Sequence, residues 1–464
     1  MARSPKHLPN GNRITDELAM GILAKTYPTP RVKEILRQQG KASKRERELP
    51  AHLMVYYVMG LGLWMGASCR EVLRCLLMGV HWLLGNENVY KVTGKSGITQ
   101  ARKRLGWEIM KAIHDEVVQP IAQKHTPGAW YRVWRLVSLD GSTLDIADSK
   151  ENEKEFGRPG ASAGHSAYPQ LRFVALLENG THVLFAARWG SYNQSELSLA
   201  EEVILHLQPG MLCLADRLFT GGPLWKKAVQ TGADLLWRCQ RRMKFACVQR
   251  LEDGSYLSYI YPERDDRRRH AEDPERRLLV RVIEYRLEGM KSKEPWFRLV
   301  TTLVDPQKAP ARELAALYQQ RWEIETTLDE FKVHLRGSQV VLRSHTPDLV
   351  KQEFYGFLML HFAVRSFMHE AALSVQRDPD ELSFVHAVRV LKRHLPLFVI
   401  SPCGGTGRLL SGHLAGNTAG ESQTTSRSAR GSCRQTKQCE SLSSAETRKR
   451  LSTRCRYSYR PGDS

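Results

Sequence analysis

The spacing of apolar residues changes three times along this chain, and each change marks a different kind of structure. From 49 to 125 the pattern is helical. Leu73, Leu76 and Leu77 fall on one face, and 70–84 reads as one amphipathic helix. Residues 53–69 carry no charge but are short for a membrane span and run straight into Arg70 and Glu71, so a buried core helix is the better expectation. Ser96 precedes a further helix, on which Arg102, Lys103 and Arg104 form a basic knot.

From 131 the pattern becomes that of strands. Residues 133–140, 171–177, 182–187, 211–216 and 234–239 are apolar runs of strand length. Helical stretches at 195–206 and 224–231 lie between the later ones. Strands interleaved with helices predict a mixed α/β sheet covered by helices. Two further strand-like runs, 256–261 and 278–286, flank a charged loop, and 297–304 resumes the sheet. Helical spacing returns at 318–332 and again at 349–372. Beyond about 401 large apolar residues nearly vanish, which predicts a basic, disordered tail over 401–464. That tail reads as if the frame had shifted near Cys403. The resulting division is 1–125 helical, 126–240 first part of an α/β core, 241–300 β-rich insertion, 301–400 second part of the core, and 401–464 tail.

Charge narrows the partner. The chain of 464 residues carries 69 Lys and Arg against 49 Asp and Glu, a net charge of +20. Only +7 of this lies in 401–464, so the folded body is itself basic. An excess of this size points to a polyanion, and nucleic acid is the usual one. Nine cysteines, an odd number with no C-x-x-C pair, indicate reduced thiols rather than a disulfide framework or a zinc site. Gly94-Lys95-Ser96 is not a phosphate-binding loop, because that motif needs glycine where Val89 stands.

One helix carries the densest chemistry. Tyr318, Arg321, Glu325 and Lys332 are spaced by 3, 4 and 7 residues and fall within an arc of roughly 60° on an uninterrupted α-helix. Leu317, Ile324, Leu328 and Phe331 form the apolar stripe beside them. A carboxylate between cations suits a metal ligand beside phosphates. Glu323 competes with Glu325 but lies about 200° away on the helix and faces elsewhere. Two further carboxylates, Asp140 and Asp216, close apolar strands at the C-terminal ends, where open α/β sheets place their chemistry. A turn at Asp140-Gly141-Ser142 is the plain alternative, and Asp145 and Asp148 are nearby substitutes. Two strand aspartates and a helix glutamate could hold two magnesium ions about 3.5–4 Å apart.

The combined residues resemble the DDE transposases of bacterial insertion sequences, of the insertion-sequence-four type. The Y-x2-R-x3-E-x6-K signature is met at Tyr318, Arg321, Glu325 and Lys332. Asp140-Gly141-Ser142 through Phe156-Gly157 is similar to the family's first-aspartate block, and Ala215-Asp216-Arg217 with Phe219 to its second. Leu342-Arg343-Ser344 through Gln352-Glu353 is similar to the segment after the glutamate, and Gln100-Ala101-Arg102 with Arg104-Leu105-Gly106 to the N-terminal domain.

The resemblance implies an RNase H-like catalytic core with a β-rich insertion, preceded by an all-α N-terminal domain. It implies cut-and-paste transposition: hydrolysis at the element ends, a hairpin step, then attack of a 3′-hydroxyl on target DNA. Asp140, Asp216 and Glu325 would ligate two Mg2+ ions, with Mn2+ able to substitute. Tyr318, Arg321 and Lys332 would grip the DNA end, and Arg102 and Arg104 would contact DNA from the N-terminal domain. Trp237 or Trp296 would hold a flipped base. The partners implied are double-stranded DNA, as terminal inverted repeats and target, and a second copy of the chain in a synaptic homodimer. The place implied is the bacterial cytoplasm at the nucleoid, with no membrane. An RNase H-like nuclease or resolvase, and an inactive DNA-binding derivative, are the other readings.

Overall fold

The structure is a computed structural model. It describes residues 21–43, 49–84, 94–160, 168–240, 242–263, 273, 276–287, 296–335, 341–393 and 457–459. Two compact units divide the chain: 120–328 with 448–464, and 1–119 with 329–447.

The first unit is built on one sheet. Its strands are β1 (Trp130–Tyr131), β2 (Trp134–Asp145), β3 (Gln170–Glu178), β4 (Val183–Ser191), β5 (Met211–Ala215), β6 (Asp234–Arg238), β7 (Gln249–Arg250), β8 (Tyr256–Ile260), β9 (Leu278–Leu287), β10 (Phe297–Thr301) and β11 (Tyr457–Tyr459). The order is β4-β3-β2-β5-β6-β10-β9-β8-β7, with β1 beside β2 and β11 beside β9. β2, β3 and β4 pair antiparallel, whereas β5 runs parallel to β2 and β6 parallel to β5. Parallel strands need crossovers, and helices Glu196–Val203 and Gly222–Gln230 supply them. Three antiparallel strands followed by two parallel ones, in this order, make the RNase H-like core. All of β5 is buried, which is why it reads as an unbroken apolar run rather than an alternating one.

Among the described residues, segment 241–300 does not form a layer of its own. Its strands β7 to β10 extend the same sheet outward from β6. The polypeptide then returns as helix Ala311–Tyr318, which packs over the sheet in a cluster with Leu136, Leu212, Leu214, Leu236, Ile283 and Leu299.

The second unit is helical. Helix Ala51–Leu63 is buried from Leu53 onward, as expected for a core helix without charges. It packs against the 28-residue helix Pro347–Ser374. Glycines make that approach possible: a Cβ on Gly62 would sit 2.8 Å from Leu360 Cδ2, and one on Gly356 2.7 Å from Val58 Cγ1. Among the described residues no helix is long and apolar enough to cross a membrane. The tail expected over 401–464 lies outside the described residues, apart from the short strand β11.

Two sequence expectations need correction. Asp140 does not end its strand, and no turn forms at 140–142. β2 continues to Asp145, because β3 still pairs with it from Asp140↔Ala175 to Asp145↔Gln170 after β5 has ended. The helix from 311 is also not uniform. It tightens to a 3₁₀ turn at Gln319–Arg321, resumes as α over Trp322–Asp329, and widens to a π-turn at Glu330–His334. The 100° count that aligned Glu325 with Lys332 therefore does not hold across the last segment.

Candidate active site

Strand register brings the two aspartates together. The parallel pairing of β2 with β5 ends at Leu139↔Ala215, so Asp140 and Asp216 are the next residues on neighbouring strands. Such strands lie about 4.8 Å apart. The third carboxylate comes from the helix above the sheet, which is tied to both strands. The Tyr318 hydroxyl donates to the Ala215 carbonyl at 3.2 Å, directly before Asp216. Ser138 of β2 donates to Asn179 Oδ1 at 2.8 Å, and Asn179 Nδ2 donates to the Gln320 carbonyl at 3.0 Å. These bonds hold the 3₁₀ turn that ends in Arg321.

Arg321 is the centre of the cluster. Its guanidinium lies 3.4 Å from Asp140 Oδ2 and 2.8 Å from Glu325 Oε1, and its side chain is only 8% exposed. Burial opposes its charge, but the Tyr318 oxygen and the carboxylates of Asp140 and Glu325 outweigh that and raise its pKa. Burial pushes Asp140 up to about 6. The Glu325 and Asp216 charges add to this, and the Gly141 amide and Arg321 oppose it. Burial likewise raises the Tyr318 phenol far above its ordinary range. Tyr318 is buried, so its hydroxyl acts on the backbone at Ala215.

The chemistry of the donors suits divalent cations. Asp216 Oδ1 is buried and has no hydrogen-bond partner among the described residues. An acceptor left so beside a carboxylate whose pKa is already raised calls for a positive charge. The oxygens of Asp140, Asp216 and Glu325 are hard donors of the kind that divalent cations prefer.

The competing acids are committed elsewhere. Glu323 is buried and accepts from the Gly180 amide at 2.7 Å. Asp145 accepts from Gln170 at 2.7 Å, and Asp148 pairs with Arg158 at 2.7 Å. One acid escaped sequence reading. A Cβ on Gly141 would lie 2.9 Å from Glu196 Oε2, so the glycine after Asp140 makes room for this carboxylate. Only the fold brings the two together, and no spacing signals it.

The remaining candidates divide. Lys332 sits in the π-turn Glu330–His334 and is half-buried. Arg104 is exposed, as is Lys103. Arg102 is not: it is buried, and its fork donates to Gln352 Oε1 at 2.8 Å, Ser344 Oγ at 3.1 Å and the Leu349 carbonyl at 3.0 Å. These bonds join helix Lys95–Leu105 to the start of helix Pro347–Ser374, and burial keeps the side chain away from the surface where DNA would lie. Arg343 does similar work, donating to the carbonyls of Leu61 and Ala67 at the end of helix Ala51–Leu63. Trp237 is fully buried edge-on to Trp225, with ring centroids 5.1 Å apart, and so belongs to the core. Trp296 is half-buried, with Arg286 5.9 Å from its ring centroid.

Comparison with known proteins gives a consistent picture. Residues 17–115 match the family model for the insertion element 4 transposase N-terminal region, and 134–362 match that for the transposase DDE domain. The transposase InsG for insertion sequence element IS4 of Escherichia coli (strain K12) is 27% identical over 367 residues, covering 78% of this chain and 80% of that protein. The putative transposase InsZ of the same organism is 26% identical over 218 residues, covering 47% and 70%. Among solved structures, a piggyBac transposase synaptic complex with hairpin DNA aligns over 88% of this chain and 87% of that one, at 11% identity and a TM-score of 0.42. The fold assignment rests on the strand order rather than on that likeness.

Proposed function

We propose a course for the reaction from one premise: the chain belongs to the DDE transposases of insertion sequences, of the insertion-element-four type. It is an insertion-sequence transposase, and the family uses divalent metal ions. In the proposed course Asp140, Asp216 and Glu325 would hold two Mg2+ ions, for which Mn2+ could substitute. Bound there, the ions would activate the attacking water or 3′-hydroxyl and stabilise the leaving oxygen. The protein supplies placement. Arg321 offsets the repulsion between the Asp140 and Glu325 carboxylates and keeps a positive charge beside the phosphate to be cut. Tyr318 fixes the helix to the end of β5 and so sets the height of Arg321 and Glu325 over Asp216. Lys332 adds a cation for the DNA end.

The observation that carries this reading is the single guanidinium reaching carboxylates 185 positions apart, Asp140 and Glu325. Around it, 126–240 and 301–400 form the catalytic core, with 241–300 inserted. The helical 1–125 segment contacts DNA through exposed cations such as Arg104, and the basic 401–464 adds nonspecific affinity. The substrates are terminal inverted repeats and target DNA, engaged by a synaptic homodimer in the bacterial cytoplasm.

The test is incubation of the protein with element-end DNA, a target plasmid and Mg2+. The parent chain yields covalent insertions, which a nuclease or resolvase does not. Asp140→Asn and Glu325→Gln should bind ends as the parent does and lose about a thousandfold in cleavage rate, the equivalent of several kcal/mol of transition-state stabilisation. Undiminished Mg2+-dependent cleavage by either variant rejects the assignment.

A further inference from the structure

Helix Ala311–Tyr318 starts with a deficiency. Its N-cap is Pro310, which has no side chain to satisfy the first backbone amides. A remote residue does so instead: the Ala311 amide donates to Asp253 Oδ2 at 2.8 Å. Asp253 lies in the turn between β7 and β8, where its other oxygen accepts from the Ser255 amide at 3.2 Å and the Ser255 hydroxyl at 2.5 Å. Arg281 of β9 pairs with Asp253 and is completely buried. The same guanidinium donates to Ser255 Oγ at 2.7 Å, to the Leu303 carbonyl at 3.2 Å and to the Ala309 carbonyl at 2.6 Å. Leu303 and Ala309 bracket the loop that feeds the helix.

We propose that Asp253 and Arg281 are positioning residues: they set where the helix bearing Tyr318, Arg321 and Glu325 begins, and so couple the β7–β9 strands to the carboxylate site. The inference rests on the reading of that site as the active centre.

Three physical points support it. The helical run is stiff, and its start lies only about 15 Å along the axis from Arg321, so a shift at Ala311 is felt at the carboxylates. A buried guanidinium paired with one carboxylate cannot slide without leaving charge unpaired, so the pair fixes a position rather than merely adding stability. A carboxylate at a helix N-terminus is also favoured by the helix dipole. Burial alone would raise the pKa of Asp253. Bonds from Ser255 and Ala311 and the Arg281 charge hold it below the usual carboxylate range instead, so it is anionic at neutral pH. The tie at Glu313 is different in kind. Glu313 pairs with Arg132 at 3.0 Å and accepts from the Tyr131 hydroxyl at 2.7 Å, but the Glu313 and Arg132 side chains are over two-fifths exposed, and such pairs hold little.

The experiment compares Asp253→Asn, Ser255→Ala, Glu313→Gln and Glu325→Gln in the full chain. It reads single-turnover end cleavage against Mg2+ concentration, end-DNA affinity in EDTA, and amide exchange at 311–314. Asp253→Asn should slow cleavage by about tenfold to a hundredfold, the scale of an ångström-sized misplacement. It should also raise the Mg2+ needed for half-maximal rate, speed exchange at Ala311 and leave end affinity unchanged. Ser255→Ala, which removes a hydroxyl that both partners use, should shift the same readouts less, and it decides the matter if Asp253→Asn does not fold. Glu313→Gln should match the parent. Parental rate and Mg2+ requirement in the folded Asp253 or Ser255 variant overturn the proposal. So do parallel losses of rate and end affinity at an unchanged Mg2+ requirement, the mark of a scaffold effect. If Glu325→Gln itself cleaves normally, the reading of the active site fails. If it is inactive while the Asp253 and Ser255 variants are normal, only this inference fails.

Discussion

Arg102 in the helical unit and Arg321 in the sheet unit are buried to nearly the same degree, yet their surroundings differ completely. Arg102 spends its fork on neutral acceptors: an amide, a hydroxyl and a backbone carbonyl. Burial lowers its pKa, and the Glu353 charge only partly compensates. Arg321 faces two carboxylates, and its pKa is raised. Burial alone therefore says nothing about the role of a cation. Neutral, directional partners make a joint between segments. Anionic partners make a centre of charge.

The largest expected effect separates these two roles. Arg321→Ala should cut end cleavage by about a hundredfold to a thousandfold, the range seen when a preorganised charge donor is removed. Nonspecific DNA binding should change far less, and equal losses on both would erase the contrast. Arg102→Ala should do the reverse. With the acceptors at 344, 349 and 352 left unpaired, it should lose about 3 kcal/mol of stability, read as a lower urea midpoint, while the folded fraction cleaves at the parental rate. A cleavage defect in Arg102→Ala without destabilisation would restore it as a DNA contact.

A pH experiment sharpens the sheet side. The folded pKa of Asp140, about 6, lies above its unfolded value. The folded state thus holds its proton more tightly, so the stabilisation is complete below the unfolded pKa and is lost as pH rises through about 6. In metal-free buffer Asp140→Asn should melt above the parent at pH 7, by roughly 2–3 kcal/mol at most, and lose that advantage near pH 4. A constant difference between pH 4 and 7 would mean that the carboxyl is not desolvated.

The smallest effect belongs to the exposed neighbour of Arg102. Arg104→Ala should reduce the salt dependence of DNA binding by about one in slope without touching cleavage at saturating DNA. An unchanged slope would remove Arg104 from the interface.

Much of this was legible in the residues. The unbroken apolar run of β5 followed by Asp216 reads directly as a buried strand leading to a candidate ligand. Glu325 was separable from Glu323 by angle on the helix, because both lie in the regular α segment Trp322–Asp329. Arg102, in contrast, stands beside Lys103 and Arg104 in a knot of like residues, and nothing local distinguishes the one that turns inward. The length of β2 was hidden for a related reason. Asp140-Gly141-Ser142-Thr143 has the composition of a turn, and only the backbone bonds offered by β3 keep it extended. Asp253 and Arg281 lay in a segment read simply as an insertion.

By itself the sequence determined the order of helices and strands, the basic character of the folded body, and the residue types able to hold a metal ion, because periodicity, charge and ligand chemistry are properties of short segments. The tertiary structure alone decided which aspartates stand side by side, which arginine faces carboxylates, and what anchors the helix at Ala311. Those outcomes depend on strand register and on partners supplied from distant parts of the chain, and no local pattern encodes either.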